Sequence, residues 1–185
     1  MLKYKGKINL DLFKAVKECI NFLAGDIRML DWTLVFYIEE DFLKEQASGD
    51  SYSSEDIKYI LNKNSRAPGG ATIEKDKEIH LFMFRYDFRE DATDLIHFIG
   101  NIYHELRHAW QYEHSVYEKV DEIKPDDDFE AYVKQPWETD AYLFQLNQMR
   151  EHFDKILDIL HLGEFKGIPY NFDDDLMNYL GAQKI

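Results

Sequence analysis

The sequence has few of the residues that would tie the chain to an oxidising compartment or to a membrane. Its single cysteine, Cys19, excludes an internal disulfide, and its place on an amphipathic helix predicts a core residue. No run of about 18 apolar residues occurs, so no segment is predicted to span a membrane. Residues 1 to 7 are basic but lead into no apolar stretch of the kind found in signal peptides. We therefore expect a cytoplasmic protein.

Basic residues are also scarce. The chain has 22 Lys and Arg against 36 Asp and Glu, a net charge of −14. This charge repels nucleic acid phosphates and anionic lipids, so we expect neither a nucleic acid nor a membrane as partner. A basic peptide or protein partner is compatible with the charge, and so is simple solvation of the surface. An acidic decoy, which would occupy a nucleic-acid-binding protein through its charge, needs carboxylates gathered on one face. Here the carboxylates are scattered among basic residues.

Proline is rare as well, with four in 185 residues, and no low-complexity linker divides the chain. One domain over residues 1–185 is therefore expected. Apolar spacing and turn residues divide it into four parts. These are a helix, strand and helix part (1–68), a hairpin with a long helix (69–115), an acidic loop (116–135) and C-terminal helices (136–185).

The hydrophobic pattern predicts the individual elements within these parts. The N-terminal part has a helix over 9–24 closed by Gly25, a strand over 32–39 and a helix over 55–63. A β-hairpin with strands over 71–74 and 78–84 precedes a helix over 91–114, for which Asp91 is the predicted N-cap. The order of strands and helices predicts an α+β fold.

The long helix carries the pentad His104-Glu105-Leu106-Arg107-His108, an H-E-x-x-H pattern. Residues four apart on a helix differ by about 40° around its axis, so both imidazoles can point at one ion. Glu105 flanks that face, from which a carboxylate can take a proton from water as a general base. The pentad predicts a zinc hydrolase, although His and Glu are also common on solvated helix faces.

A catalytic zinc needs a third protein ligand, and two residues compete for the role. Glu138 follows Pro136, which suits the first turn of a new helix that we expect to run to about Leu160. His114 would complete another known spacing, that of three zinc-binding histidines. That pattern needs a glycine where Gln111 stands, so Glu138 is favoured. Asp140 would be turned about 200° from Glu138 and is expected to cap, to pair with Arg107 or to support a ligand.

Two blocks of this sequence, His104 to Gln111 and Pro136 to Ala141, with Tyr132 between them, resemble the small bacterial and phage zincin-like metallopeptidases of the gluzincin type. The likeness covers about residues 70 to 145. It implies zinc bound by His104, His108 and Glu138, with Glu105 as the catalytic base and a peptide or protein as substrate. It also implies a small mixed sheet with an edge hairpin packed on the H-E-x-x-H helix, followed by a mainly helical C-terminal part.

In zincins the strand beside the active helix binds extended peptide by strand addition, so we expect one strand of 71–84 to border the cleft. His80, on that hairpin, is expected to be a sheet residue and not a ligand. Tyr132, Tyr142 and His152 are the candidates for a donor to the developing oxyanion.

Two further alternatives concern the acidic loop and the activity itself. Residues 117–130 are expected to be a solvated connection, a flap over the cleft or a calcium site built on Asp126, Asp127 and Asp128. A catalytically silent protein-binding module on a zincin scaffold is the alternative to a zinc metallopeptidase.

Overall fold

The computed structural model of the chain describes residues 2–6, 8–46, 52–62, 66–117 and 123–185. Its strands are β1 (Lys3–Lys5), β2 (Thr33–Tyr37), β3 (Gly70–Ile73) and β4 (Glu78–Phe82). Its α-helices are α1 (Leu10–Ile20), α2 (Gly25–Arg28), α3 (Glu40–Gln46), α4 (Ser54–Leu61), α5 (Thr93–Glu113), α6 (Phe129–Val133), α7 (Pro136–Leu160) and α8 (Asp174–Tyr179). None of these helices is both long and apolar enough to cross a lipid bilayer.

The described strands form one small mixed sheet in the order β1-β2-β4-β3. β2 is parallel to both β1 and β4, and β3 is antiparallel to β4. The predicted α+β class and the predicted hairpin are therefore confirmed, with β3 at one edge of the sheet. Strand β1 was not predicted, because a three-residue strand with lysine at both ends lacks an apolar pattern.

Alternation along β2 and β4 divides the core into two layers. Leu34, Phe36 and Ile79 lie in the larger cluster with residues of α1, α5 and α7. Val35 and Phe82 point to the opposite face, where they pack against residues of α3 and α4. Helix α5 therefore lies on one face of the sheet with its H-E-x-x-H side beside β3.

Small residues allow α5 and α7 to pack closely. Ala141 of α7 is fully buried. A Cβ atom at Gly100 of α5 would lie only 2.6 Å from Nε2 of Gln145, so a larger residue could not stand there without a shift of that side chain. This close approach places the first turn of α7 next to the two histidines of α5.

Several predicted boundaries are corrected by the structure. Helix α5 begins at Thr93, and Asp91 stands just before it, accepting from the Thr93 amide at 2.8 Å. Gly25 does not close α1 but begins the short helix α2. The acidic loop contains α6, which Asp128 caps by accepting from the Ala131 amide at 2.9 Å. Cys19 is buried, as predicted.

Candidate metal centre

Two helices bring three metal-ligating side chains together. His104 and His108 lie one turn apart on α5, and Glu138 lies in the first turn of α7. One ligand atom from each of the three lies within 4.8 Å of the others. The two Nε2 atoms are 3.0 Å apart, and the Glu138 carboxylate lies 3.2 Å from His104 Nε2 and 3.5 Å from His108 Nε2. Of the two candidate third ligands, Glu138 is the one that joins the histidines.

The chemistry of this group fits a metal ion. Glu138 is only 4% exposed, and although its Oε2 atom lies near His104, it has no hydrogen-bond partner among the described residues. A buried carboxylate oxygen without a donor is costly, whereas a cation placed between it and the two imidazoles would satisfy it. Two imidazoles and one carboxylate are also a donor set that catalytic metal sites use. The His104, His108 and Glu138 group can therefore hold a metal ion.

A chain of polar contacts orients one of the two histidines. His108 Nδ1 lies 2.9 Å from Oε1 of Gln111, which can only accept, so His108 donates from Nδ1 and keeps the Nε2 lone pair for a metal. Gln111 in turn donates to the Trp137 carbonyl at 3.0 Å and to Asp140 Oδ2 at 2.7 Å. Arg107 holds Asp140 at 2.7 and 3.1 Å, as the predicted pairing requires. The role of Gln111 was missed, although its position three residues after His108 on a helix was the available signal.

His104 is held by packing rather than by a polar partner. The Tyr142 ring lies against it, with centroids 4.4 Å apart. Its Nδ1 atom is buried and has no hydrogen-bond partner among the described residues. The two imidazoles are therefore fixed by different means, one by a hydrogen-bonded chain and one by ring contact.

Glu105 is buried beside the ligands and is held by the edge strand. The Thr72 hydroxyl on β3 lies 2.8 Å from Glu105 Oε2 and 3.0 Å from its carbonyl oxygen. Burial raises the pKa of Glu105, while the charges of His104 and His108 act in the opposite direction. A carboxylate with a raised pKa accepts a proton more readily near neutral pH. Thr72 was not predicted to be a functional residue. The only signal in the sequence was the alternation of side chains along a strand, which turns Thr72 towards α5.

Electrostatic interactions link the three candidate ligands. Burial acts to lower the pKa of His108, but the carboxylates of Glu138 and Glu105 outweigh it and raise that pKa to about 9. Burial acts to raise the pKa of Glu138, but the His108 charge and the His104 contact hold it well below its usual range. The site thus attracts one positive charge, which a proton or a metal ion can supply.

The three oxyanion candidates fall in different places. Tyr132 is buried on α6 and lines the cleft, where burial and the nearby Glu138 charge raise the pKa of its hydroxyl well above its usual range. Tyr142 touches His104 through its ring, as described above. His152 is not at the site: it stacks on Phe22 with centroids 5.0 Å apart. It shares a helix side with Glu138, but 14 residues of helix separate the two by about 21 Å.

His114 and His80 stand apart from the metal group. His114 is exposed at the end of α5, where its Nδ1 lies 2.8 Å from the Trp110 carbonyl. His80 is buried within the sheet, with Nδ1 at 2.7 Å from the Tyr52 hydroxyl and Nε2 at 2.9 Å from Glu78. Neither is a ligand in the described geometry, which agrees with the expectation for His80.

A cavity of about 400 Å³, here called the metal cavity, opens over these residues. β3 lines one side through Ala71, Thr72 and Ile73, and Tyr132 and Trp137 line the other. The prediction that one hairpin strand borders the cleft is confirmed.

The described part of the acidic loop uses two carboxylates to hold the backbone. Asp126 accepts from the Arg66 amide at 2.7 Å, and Asp128 caps α6. Among the described residues they form no metal-ligating group with Asp127, so the calcium alternative gains no support. The expected flap falls partly on residues 118–122, which lie outside the described residues.

The chain matches no protein family model, no curated protein and no solved structure. The geometry of the His104, His108 and Glu138 group and the residues around it therefore carry the functional argument by themselves.

Proposed function

We propose that this chain is a zinc-dependent metallopeptidase of the zincin type. The observation that carries the proposal is the meeting of His104, His108 and Glu138 with a buried Glu105, beside a sheet edge that could hold an extended peptide. Zinc suits two imidazoles and a carboxylate that leave one position open. The resemblance of the two sequence blocks to gluzincins supports the same assignment.

The proposed roles follow from where each side chain lies. When bound, zinc would supply Lewis-acid polarisation of the substrate carbonyl and would lower the pKa of water. Glu105 takes a proton from the attacking water and passes it to the leaving amine. Tyr132 lines the metal cavity beside Glu138, and we assign its hydroxyl as the donor to the carbonyl oxygen as negative charge develops there.

The outer edge of β3 pairs with no other strand among the described residues, and this free edge supports a peptide substrate. Phe82 donates its amide to the Gly69 carbonyl at 2.8 Å, which makes Gly69 a hydrogen-bonded position of the β3–β4 pair. By the alternation of an antiparallel ladder, the main-chain groups of Gly70 and Thr72 then face away from β4. An extended peptide could pair with them and pass directly over Glu105.

The test begins with the metal content of purified protein, measured by mass spectrometry. We expect about one zinc per chain, lost in Glu138→Ala and retained in the matched control His114→Ala. Absence of zinc from the wild type after incubation with the ion would overturn the proposal.

The second step measures hydrolysis. Glu105→Gln should retain zinc but reduce the rate of peptide cleavage by roughly 10²- to 10⁴-fold, the usual contribution of a general base. Zinc binding without any Glu105-dependent cleavage would identify the chain as a silent binding module on this scaffold.

A further inference from the structure

A second cavity, of about 420 Å³, lies on the other side of His104 and Glu105. It follows the N-terminal half of α5 and is bordered by Ala67, Pro68 and Gly69, just before β3. The two cavities share His104 and Glu105, so they meet at the proposed point of cleavage. The metal cavity extends along β3 towards Ile73, whereas the second cavity lies beside the residues that precede β3 in the chain. A peptide on the free edge of β3 would therefore pass both cavities.

The floor of the second cavity carries an unused hydrogen-bond donor. Asn101 lies one turn before Glu105 on α5, and its Nδ2 atom is buried without a partner among the described residues. Buried donors are nearly always paired in folded proteins, so an unpaired one beside a cavity indicates a place for an acceptor. Gly70 keeps this place open, because a Cβ atom there would lie 2.8 Å from Asn101 Nδ2.

The charges around the second cavity indicate which kind of hydrogen-bond acceptor it would bind. Asp91 and Asp94 line it, and both carry carboxylates that would repel an acidic side chain. Arg85, the cation among the lining residues, donates to the carbonyls of Ile60 at 2.6 Å and Asn62 at 3.4 Å. A neutral acceptor therefore fits better than a carboxylate, and a carboxamide can also donate to the nearby acidic groups.

The chain direction of β3 determines which residue of a bound peptide would lie at the second cavity. Antiparallel pairing is the more stable per residue, so a peptide on β3 would run from Ile73 towards Pro68. Its amino-terminal part then lies over the metal cavity, and the residue that follows the scissile bond lies over Asn101. We propose that the second cavity binds the side chain of that residue and selects asparagine or glutamine there, with Asn101 as the specificity-determining donor. This inference rests on the proposed peptidase function.

Cleavage of a mixture of random-sequence peptides by the zinc-loaded wild type tests it, with cleavage sites read by mass spectrometry. We expect Asn and Gln after the cleaved bond to be favoured over the similarly shaped Leu and Met by roughly 3- to 10-fold, the value of one neutral hydrogen bond. Asn101→Leu should remove this preference, and Asn101→Asp should shift it towards lysine. The matched control Asn147→Asp, at an exposed site on α7, should leave it unchanged. A preference for apolar residues after the cleaved bond, or an amide preference before it, would overturn the inference.

A binding measurement separates failure of this inference from failure of the proposed function. Glu105→Gln protein is titrated with fluorescent peptides that differ only by Asn or Leu at one position. Tighter binding of the Asn peptide that disappears with Asn101→Leu supports the cavity even if the wild type cleaves nothing. Equal binding of the two peptides overturns it, whether or not the wild type is a peptidase.

Discussion

Replacing Gln111 with leucine should weaken zinc binding, because Gln111 orients one of the proposed ligands. The side chain is 5% exposed, and its Oε1 atom accepts the His108 Nδ1 proton at 2.9 Å. Leucine has a similar size but cannot accept, so His108 would lose both its preferred tautomer and its fixed orientation. Partners of this kind usually contribute 10- to 100-fold to metal affinity, about 1.4–2.7 kcal/mol.

The assay is competition for zinc with a chromogenic chelator, carried out on protein shown by circular dichroism to be folded. This check matters because Gln111→Leu also removes the hydrogen bonds to Trp137 and Asp140, at roughly 1 kcal/mol each. Asp140→Asn is the comparison: it breaks the ion pair with Arg107 but leaves the bond from Gln111 to His108 intact, so zinc affinity should change by less than about 3-fold. Unchanged affinity in Gln111→Leu, or equal losses in both variants, would refute the reasoning.

Two further predictions concern pH. The neighbouring carboxylates raise the pKa of His108 to about 9, so zinc would have to displace a proton below that pH. Zinc affinity should therefore rise by up to about tenfold per pH unit between about pH 6 and pH 8. Affinity that does not change with pH in chelator competition would contradict this. Burial lowers the pKa of His80 below 6.5, so the unfolded chain binds the proton more strongly, and stability should fall as pH drops below about 6.5, by at most about 1.4 kcal/mol per pH unit. Urea unfolding of metal-free wild type beside His80→Gln measures it, and parallel pH profiles would exclude a contribution from His80.

Local rules were enough to predict the ligand-bearing elements. The spacing of His104 and His108 fixes their common face on any helix, and Pro136 marks the start of α7, which ends at Leu160 as expected. Gln111 correctly argued against His114, because α5 continues through that position without a turn. These inferences needed only helix geometry and the properties of single residues.

Features that depend on distant contacts could not be predicted in the same way. β1 exists because β2 offers it a parallel partner, and α6 packs Tyr132 and Val133 against Leu176 of α8. His152 shows the limit of angular reasoning: helical periodicity gives the side of a helix, whereas a site also requires closeness along its axis. The angle of a residue around the helix axis therefore selects too many candidates unless its distance along the axis is also considered.

The base illustrates the same division between motif and fold. The H-E-x-x-H spacing places Glu105 about 100° from His104 on the helix, which sets its direction but not its environment. That environment comes from β3, where Gly70 leaves room against Glu105 Cγ and Thr72 donates to its carboxylate at 2.8 Å. A buried carboxylate without such a donor would carry the full cost of desolvation. The strand that could bind a peptide is thus also the strand that holds the base, so a shift of β3 would move both together.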